Sequence, residues 1–292
     1  MNRPFLSREE RSRLAGEALK AAVAARRQAG LDQINPICIY DLAEKLGVPV
    51  RFTDINMEGI YTRLPKPCIQ LSVERSPPRR VFTCGHELGH HVFGHGVTVD
   101  AVQADSETLG DNSPNEVLAN NFAGFVLMPT PGVRGAFGRR GVTPATADEI
   151  TYYAIASNFG VGYATLITHL RYGLRELPDK RAIALGKASP KAIRQTILGA
   201  DRPEPLLYVD AHWVARPIDA EVGTLIVLPT GTAVDGAVLE STGAHARGDI
   251  WRAVRTGIGR VTIGTTTLFV RIAREKFVGL ARYRHLEEDD DV

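Results

Sequence analysis

An α+β fold in three parts is what the sequence predicts, on three observations. An amphipathic helical pattern opens the chain near Ser7; short alternating segments precede a second helical pattern carrying CGHELGHHVFGHG; and from about Leu177 the apolar spacing changes to two. The parts are an α+β domain over 1–135, a helical linker over 136–176 and an α+β domain over 177–285, followed by an acidic tail at 286–292. With 292 residues, 44% hydrophobic and 23% charged, the composition is that of a folded chain and excludes general disorder. No run approaches the roughly 18 apolar residues that cross a bilayer, and the first residues lack the apolar core of a signal peptide. No membrane partner and a cytoplasmic location are therefore expected. Three cysteines, Cys38, Cys68 and Cys84, are too few and odd in number for a disulfide framework.

The first helix runs from about Ser7 to Gln28, with Ser7 as N-cap and Glu10 three residues on completing a capping box. IYDLAEKLG suits a short helix ended by Gly47. VPVRF, GIYTRL and CIQLSVE alternate as strands, the last two separated by the turn at Pro65 and Pro67. The segment Cys68 to Glu74 fits an edge strand, to which an extended peptide adds as a further strand, and equally fits an interior one. The histidine-rich helix begins near Arg79, after two prolines suited to a first turn. A polar, acidic loop from about Val99 to Asn115 leads to EVLANNFAGFVLM, stopped by Pro129 and Pro131. GVRGAFGRRGVTP reads as a linker. Ala145 to Phe159 and Val161 to Tyr172 are two helical patterns about Gly160, the outline of a helix-turn-helix. The second has few cationic or amide residues at its start, where base contacts are made, so packing weighs ahead of DNA binding. LLYVDAHWVA, GTLIVLP, GAVLES, GRVTIG, TTLFVRIA and KFVGLARY then alternate as strands.

His86, Glu87 and His90 spell HExxH. Residues four apart share a helix face, so both imidazoles can reach one Zn²⁺, with Glu87 beside it as a proton acceptor. The bland alternative is a histidine-rich helix end that is partly solvated. A catalytic zinc has three protein ligands, so another is needed. A metzincin extension is excluded, because Phe93 and Gly96 stand where glycine and histidine are required. A glutamate on a following helix is the other common solution. Glu116 stands 26 residues after His90, with Asn120 one turn later on the same face, placed to hold a histidine ring. Glu116 is also what a helix N-terminus favours electrostatically, with no metal at all.

The stretch RRVFTCGHELGH, then Glu-x-x-x-Asn-x-Phe-Ala and Leu-Met-Pro, resembles the ImmA/IrrE family of gluzincin-type metallopeptidases. The matching residues are Arg80, Phe82, His86, Glu87, His90, Glu116, Asn120, Phe122, Ala123, Leu127, Met128 and Pro129, within about 35–135. Leu118 departs from the glutamate or glutamine that many members carry there. The resemblance implies a zincin-like domain, Zn²⁺ held by His86, His90 and Glu116, and Glu87 as general base. It implies an intracellular protease that cuts a helix-turn-helix repressor under stress such as DNA damage or phage infection. By position, it also implies a GAF-like sensor behind the peptidase.

Other residues carry weaker signals. Tyr61 is a candidate oxyanion partner or a tyrosine packed on a sheet face. Cys68 is a candidate inhibitory thiolate and Cys84 a core thiol. His91 and His95 read as solvated or packed. Residues 245–285 hold nine Lys or Arg against two acids, before five acids at Glu287 to Asp291. Arg247, Arg252, Arg255, Arg260, Arg271 and Arg274, interleaved with Trp251, Phe269, Phe277 and Tyr283, suit single-stranded DNA, or are a solvated β surface over core aromatics. Two functions fit: a zinc endopeptidase acting on a repressor, and a non-proteolytic regulator or nucleic-acid sensor that retains the zincin fold.

Overall fold

The computed structural model describes residues 6–95, 98–99 and 113–286. The acidic tail after Leu286 and most of the expected acidic loop lie outside the described residues. The chain divides into two compact units, one running to Val133 and including Val278–Ala281, the other made of Arg134–Phe277 and the residues from Arg282 on.

In the first unit, α1 (Arg8–Gln28) opens on a capping box: Ser7 Oγ accepts from the Glu10 N–H at 3.1 Å, and the Ser7 N–H donates to Glu10 at 2.8 Å. Its buried stripe is Leu14, Ala18, Ala22 and Ala25. Then come α2 (Ile39–Lys45), β1 (Val50–Thr53), β2 (Gly59–Thr62), β3 (Cys68–Ser72), α3 (Pro77–Val92), β4 (Thr98–Val99) and α4 (Pro114–Leu127). Prolines at the first positions of α3 start it two residues before the position the sequence suggests. Arg26 is buried near the end of α1 and donates to the carbonyl of Val126 at 2.8 Å, neutralising the negative end of α4. It also donates to the carbonyls of Asp32 at 2.9 Å and Asn35 at 3.0 Å, and burial pulls its pKa down to about 10.

The sheet decides between the edge and interior readings of one strand. β3 lies between β1, parallel to it, and β2, antiparallel to it, so Cys68–Ser72 is an interior strand. An added peptide strand cannot pair there, because both sides of its backbone are already used. β4 pairs antiparallel with β2 and forms one edge.

The second unit departs from the sequence reading in two ways. GVRGAFGRRGVTP is no linker, since Thr130–Gly138 form α5. Val133, Ala136 and Phe137 are buried at helical spacing, and that burial overrides the poor helix propensity of three glycines. After the expected helices α6 (Glu149–Phe159) and α7 (Tyr163–Thr168), the latter continued by a π turn at His169–Gly173, the region after Leu177 begins with two more, α8 (Asp179–Gly186) and α9 (Pro190–Leu198), before the unit's first strand. Ser189 caps α9 through the Ala192 N–H at 3.1 Å, with Ile193 and Ile197 buried one turn apart. Gly160 joins α6 to α7 at φ 71°, in the left-handed region.

Two four-stranded sheets follow. One, in the order β5 (Leu206–Tyr208), β7 (Leu225–Leu228), β10 (Gly248–Ala253), β9 (Leu239–His245), shares a core with the other, β6 (Ile218–Glu221), β12 (Thr266–Ala273), β11 (Gly257–Ile263), β8 (Ala233–Asp235). Ile226, Leu228, Leu239 and Ala253 of the first sheet and Ile218, Val261, Leu268, Val270 and Ile272 of the second belong to that core, with Trp213. KFVGLARY does not join either sheet. Its Gly279–Leu280 form β13, antiparallel to β1 at the other edge of the first unit's sheet. Among the described residues, no helix is long and apolar enough to cross a membrane.

Candidate metal centre

The centre is built by two helices that approach unusually closely. A Cβ on Gly89 would stand 2.9 Å from the Cα of Ala119, and one on Gly85 would stand 3.2 Å from the Cβ of Ala123. Gly85-x-x-x-Gly89 on α3 and Ala119-x-x-x-Ala123 on α4 thus form two facing rows of small residues, running antiparallel. Larger side chains in either row would push the helices apart. Sequence reasoning passed over both rows, although glycine inside HELGH and the four-residue spacing of the alanines were the available signals.

The polar atoms converge beside this contact. His86 Nε2 and His90 Nε2 are 2.9 Å apart; Glu116 Oε2 lies 3.2 Å from the first and Oε1 3.4 Å from the second. Among the described residues, His86, His90 and Glu116 are the group whose ligand atoms come within 4.8 Å of one another. Donors about 2.0–2.1 Å from a tetrahedral Zn²⁺ stand about 3.3 Å apart, so these side chains fit that ion with little movement. The helix N-terminus also sets Glu116: Ser113 caps α4, and Glu116 lies in its first turn.

Hydrogen bonds fix the rings. His86 Nδ1 meets Asn120 Oδ1 at 3.0 Å, and His90 Nδ1 meets His95 Nδ1 at 2.8 Å. A proton on each Nδ1 leaves both Nε2 lone pairs facing Glu116 and one another, an arrangement that repels itself unless a cation lies between them. Burial, reinforced by the neighbouring His86, lowers the pKa of His90 to about 4 against the pull of Glu116, so the ring is neutral near pH 7, as a ligand must be. Burial alone would raise the Glu116 carboxyl, but when the histidines are protonated the hydrogen bond from His86 Nε2 and the histidine charges lower it overall. Glu87 follows His86 on α3 and is fully buried.

Residues 43–171 match the family model described as the IrrE N-terminal-like domain of peptidase family M78. The segment is similar to an IrrE N-terminal-like domain. It contains HExxH, Glu116 and Asn120, and runs from α2 through α7. A solved Mycobacterium tuberculosis transcriptional regulator is 17% identical to this chain, covering 56% of it and 51% of that structure, with a TM-score of 0.35. The chain thus spans about half the length of that regulator. No curated relative matches the sequence.

Around the IrrE-like centre, the other candidates fall in different places. The Tyr61 hydroxyl is 2.8 Å from His91 Nδ1, and burial raises the phenol's pKa while Arg63 opposes it. The hydroxyl thus bonds a ring outside the three-residue group. His91 and His95, read from sequence as solvated or packed, both hold ring hydrogen bonds. Cys68 is not in the ligand group; its thiol donates to the Ile69 carbonyl at 3.7 Å, and burial raises its pKa, which disfavours a thiolate. Cys84 is fully buried.

The six arginines do not line one sheet. Arg252, on β10, pairs with Glu204 at 2.8 Å, whereas Arg260 and Arg271 are on β11 and β12 of the other sheet. Arg247 stands in the turn before β10 and Arg255 in the turn after it. Arg271 grips Asp219 through two bonds, at 2.6 and 2.8 Å; Arg260 lies over the ring of Phe269 and Arg274 over that of Phe277.

Proposed function

We propose that this chain is a zinc-dependent endopeptidase whose substrate is a partner helix-turn-helix repressor, cut in response to stress. The observation that carries the reading is the convergence of His86 Nε2, His90 Nε2 and the Glu116 carboxylate on one point, in the geometry that Zn²⁺ requires. When bound, zinc supplies Lewis acidity toward a peptide carbonyl and toward water near neutral pH. Glu87 takes the proton of the attacking water and delivers it to the leaving amine. Asn120 and Glu116 keep His86 in the tautomer and orientation the centre needs. The choice of a repressor as substrate rests on the resemblance to the ImmA/IrrE peptidases.

The test is to incubate the zinc-loaded protein with the helix-turn-helix repressor encoded beside it, using Glu87→Gln as the control. Cleavage by the wild type, with a loss of about 100-fold or more in the variant, is expected. An intact repressor in the presence of bound zinc, or equal cutting by Glu87→Gln, contradicts the reading and favours a non-proteolytic regulator. Single-stranded DNA added to the same reaction tests the second unit as sensor. Support for that role comes from Phe269, which is half-exposed beneath Arg260.

A further inference from the structure

His95 stands outside HExxH, yet the way α3 ends delivers it to the centre. The helix closes with Phe93 as C-cap, and Gly94 follows in the left-handed region at φ 67°. The Gly94 N–H donates to the carbonyl of His91 at 3.1 Å, and the His95 N–H donates to that of His90 at 2.9 Å. These two bonds define a Schellman turn, in which the second residue past the cap is folded back onto the helix residue five positions earlier. The contact between those two positions is usually hydrophobic. Here both are histidines, and their rings meet Nδ1 to Nδ1 at 2.8 Å. Phe93 stacks on the His95 ring, with centroids 5.7 Å apart, and packs edge-on against Phe122 of α4 at 6.2 Å. His95 is thereby held from two sides.

We infer that His95 is a positioning residue for the ligand His90. Its Nδ1 lone pair accepts the His90 Nδ1–H, which leaves the His90 Nε2 lone pair directed at the centre and fixes the ring plane. The arrangement parallels the hold of Asn120 on His86, but it is supplied by the helix stop in place of the second helix. Gly94 is the residue that permits it, since a side chain at a φ of 67° is strained. The inference rests on the metal-centre reading above.

The experiment compares zinc affinity, by competition with a chromophoric chelator, in the full-length wild type, His95→Leu and His95→Asn. Leucine keeps the packing against Phe93 and removes the lone pair; asparagine restores an acceptor near the Nδ1 position. The expected result is an affinity lowered about 10- to 100-fold by leucine and largely recovered by asparagine, with the thermal unfolding of the metal-free proteins unchanged. Equal affinity in wild type and His95→Leu, or an asparagine variant no better than leucine, overturns the role of His95 and leaves the metal centre standing. A wild type that takes up no zinc overturns both.

Discussion

Two clusters of buried ionisable groups, one in each unit, show how differently similar ingredients behave. In the first unit, His86, His90 and Glu116 turn acceptor atoms toward a shared point. In the second, donors surround one acceptor: Asp219 receives Arg271 on both oxygens, with Arg284 at 3.6 Å and Arg216 and His285 at 3.7 Å. Burial would raise the Asp219 carboxyl, but the Arg271 hydrogen bond and the charges of Arg284, Arg271 and Arg216 bring its pKa down to about 2. Converging acceptors call for a cation; converging donors on a carboxylate are already neutralised. A cluster of titratable residues therefore signals a ligand through the direction of its lone pairs more than through its composition.

The comparison breaks most visibly at Asp219. Removing its charge in Asp219→Asn leaves buried guanidinium groups facing a neutral amide, and stability is expected to fall by about 3–5 kcal/mol, measured by denaturant unfolding of the full chain. Zinc affinity should be unchanged. The wild type also has an acid limb here: with a folded pKa below the unfolded value of 3.8, the contribution is complete above that pH. It is lost as pH falls toward about 2. Asp219→Asn lacks that limb. A variant as stable as the wild type across this range would mean that the carboxylate does not anchor the second unit.

A smaller effect sharpens the other half. Gly89→Ala inserts a methyl against the α4 backbone, and should cost about 1–3 kcal/mol while weakening zinc binding, because the two ligand-bearing helices are forced apart. Gly85→Ala meets the Ala123 Cβ and Cα and a Leu127 methyl at 3.2–3.4 Å and should cost less. If Gly89→Ala binds zinc as the wild type does, the helix spacing does not set the geometry.

The two regions were also unequally legible in the sequence. HExxH, the turn-spaced Glu116 and Asn120, and the Ser7 and Gly47 helix signals are local patterns, and local patterns survive in one dimension. The facing rows of Gly85, Gly89, Ala119 and Ala123 were invisible as a contact, because nothing in either helix says which helix it packs against. α5 was hidden behind its glycines, since propensity was weighed without the burial of Val133, Ala136 and Phe137. Alternation marked strands after Leu206 but could not assign partners, so the two-sheet core and the departure of Gly279–Leu280 to the first unit's sheet went unread. His95 was undervalued for a related reason: its register excludes it from the metal face of a continuing helix, and only the turn at Gly94 brings it back.

The central claim is that His86, His90 and Glu116 act together to hold zinc, and metal analysis of the purified full-length protein tests it most directly. Wild type and Glu116→Gln would be dialysed against the same zinc buffer and the ion counted per chain. The account predicts about one zinc per wild-type chain and a large loss in the variant, with its fold retained by circular dichroism. A wild type without zinc, or a Glu116→Gln protein that holds it equally well, would contradict the account.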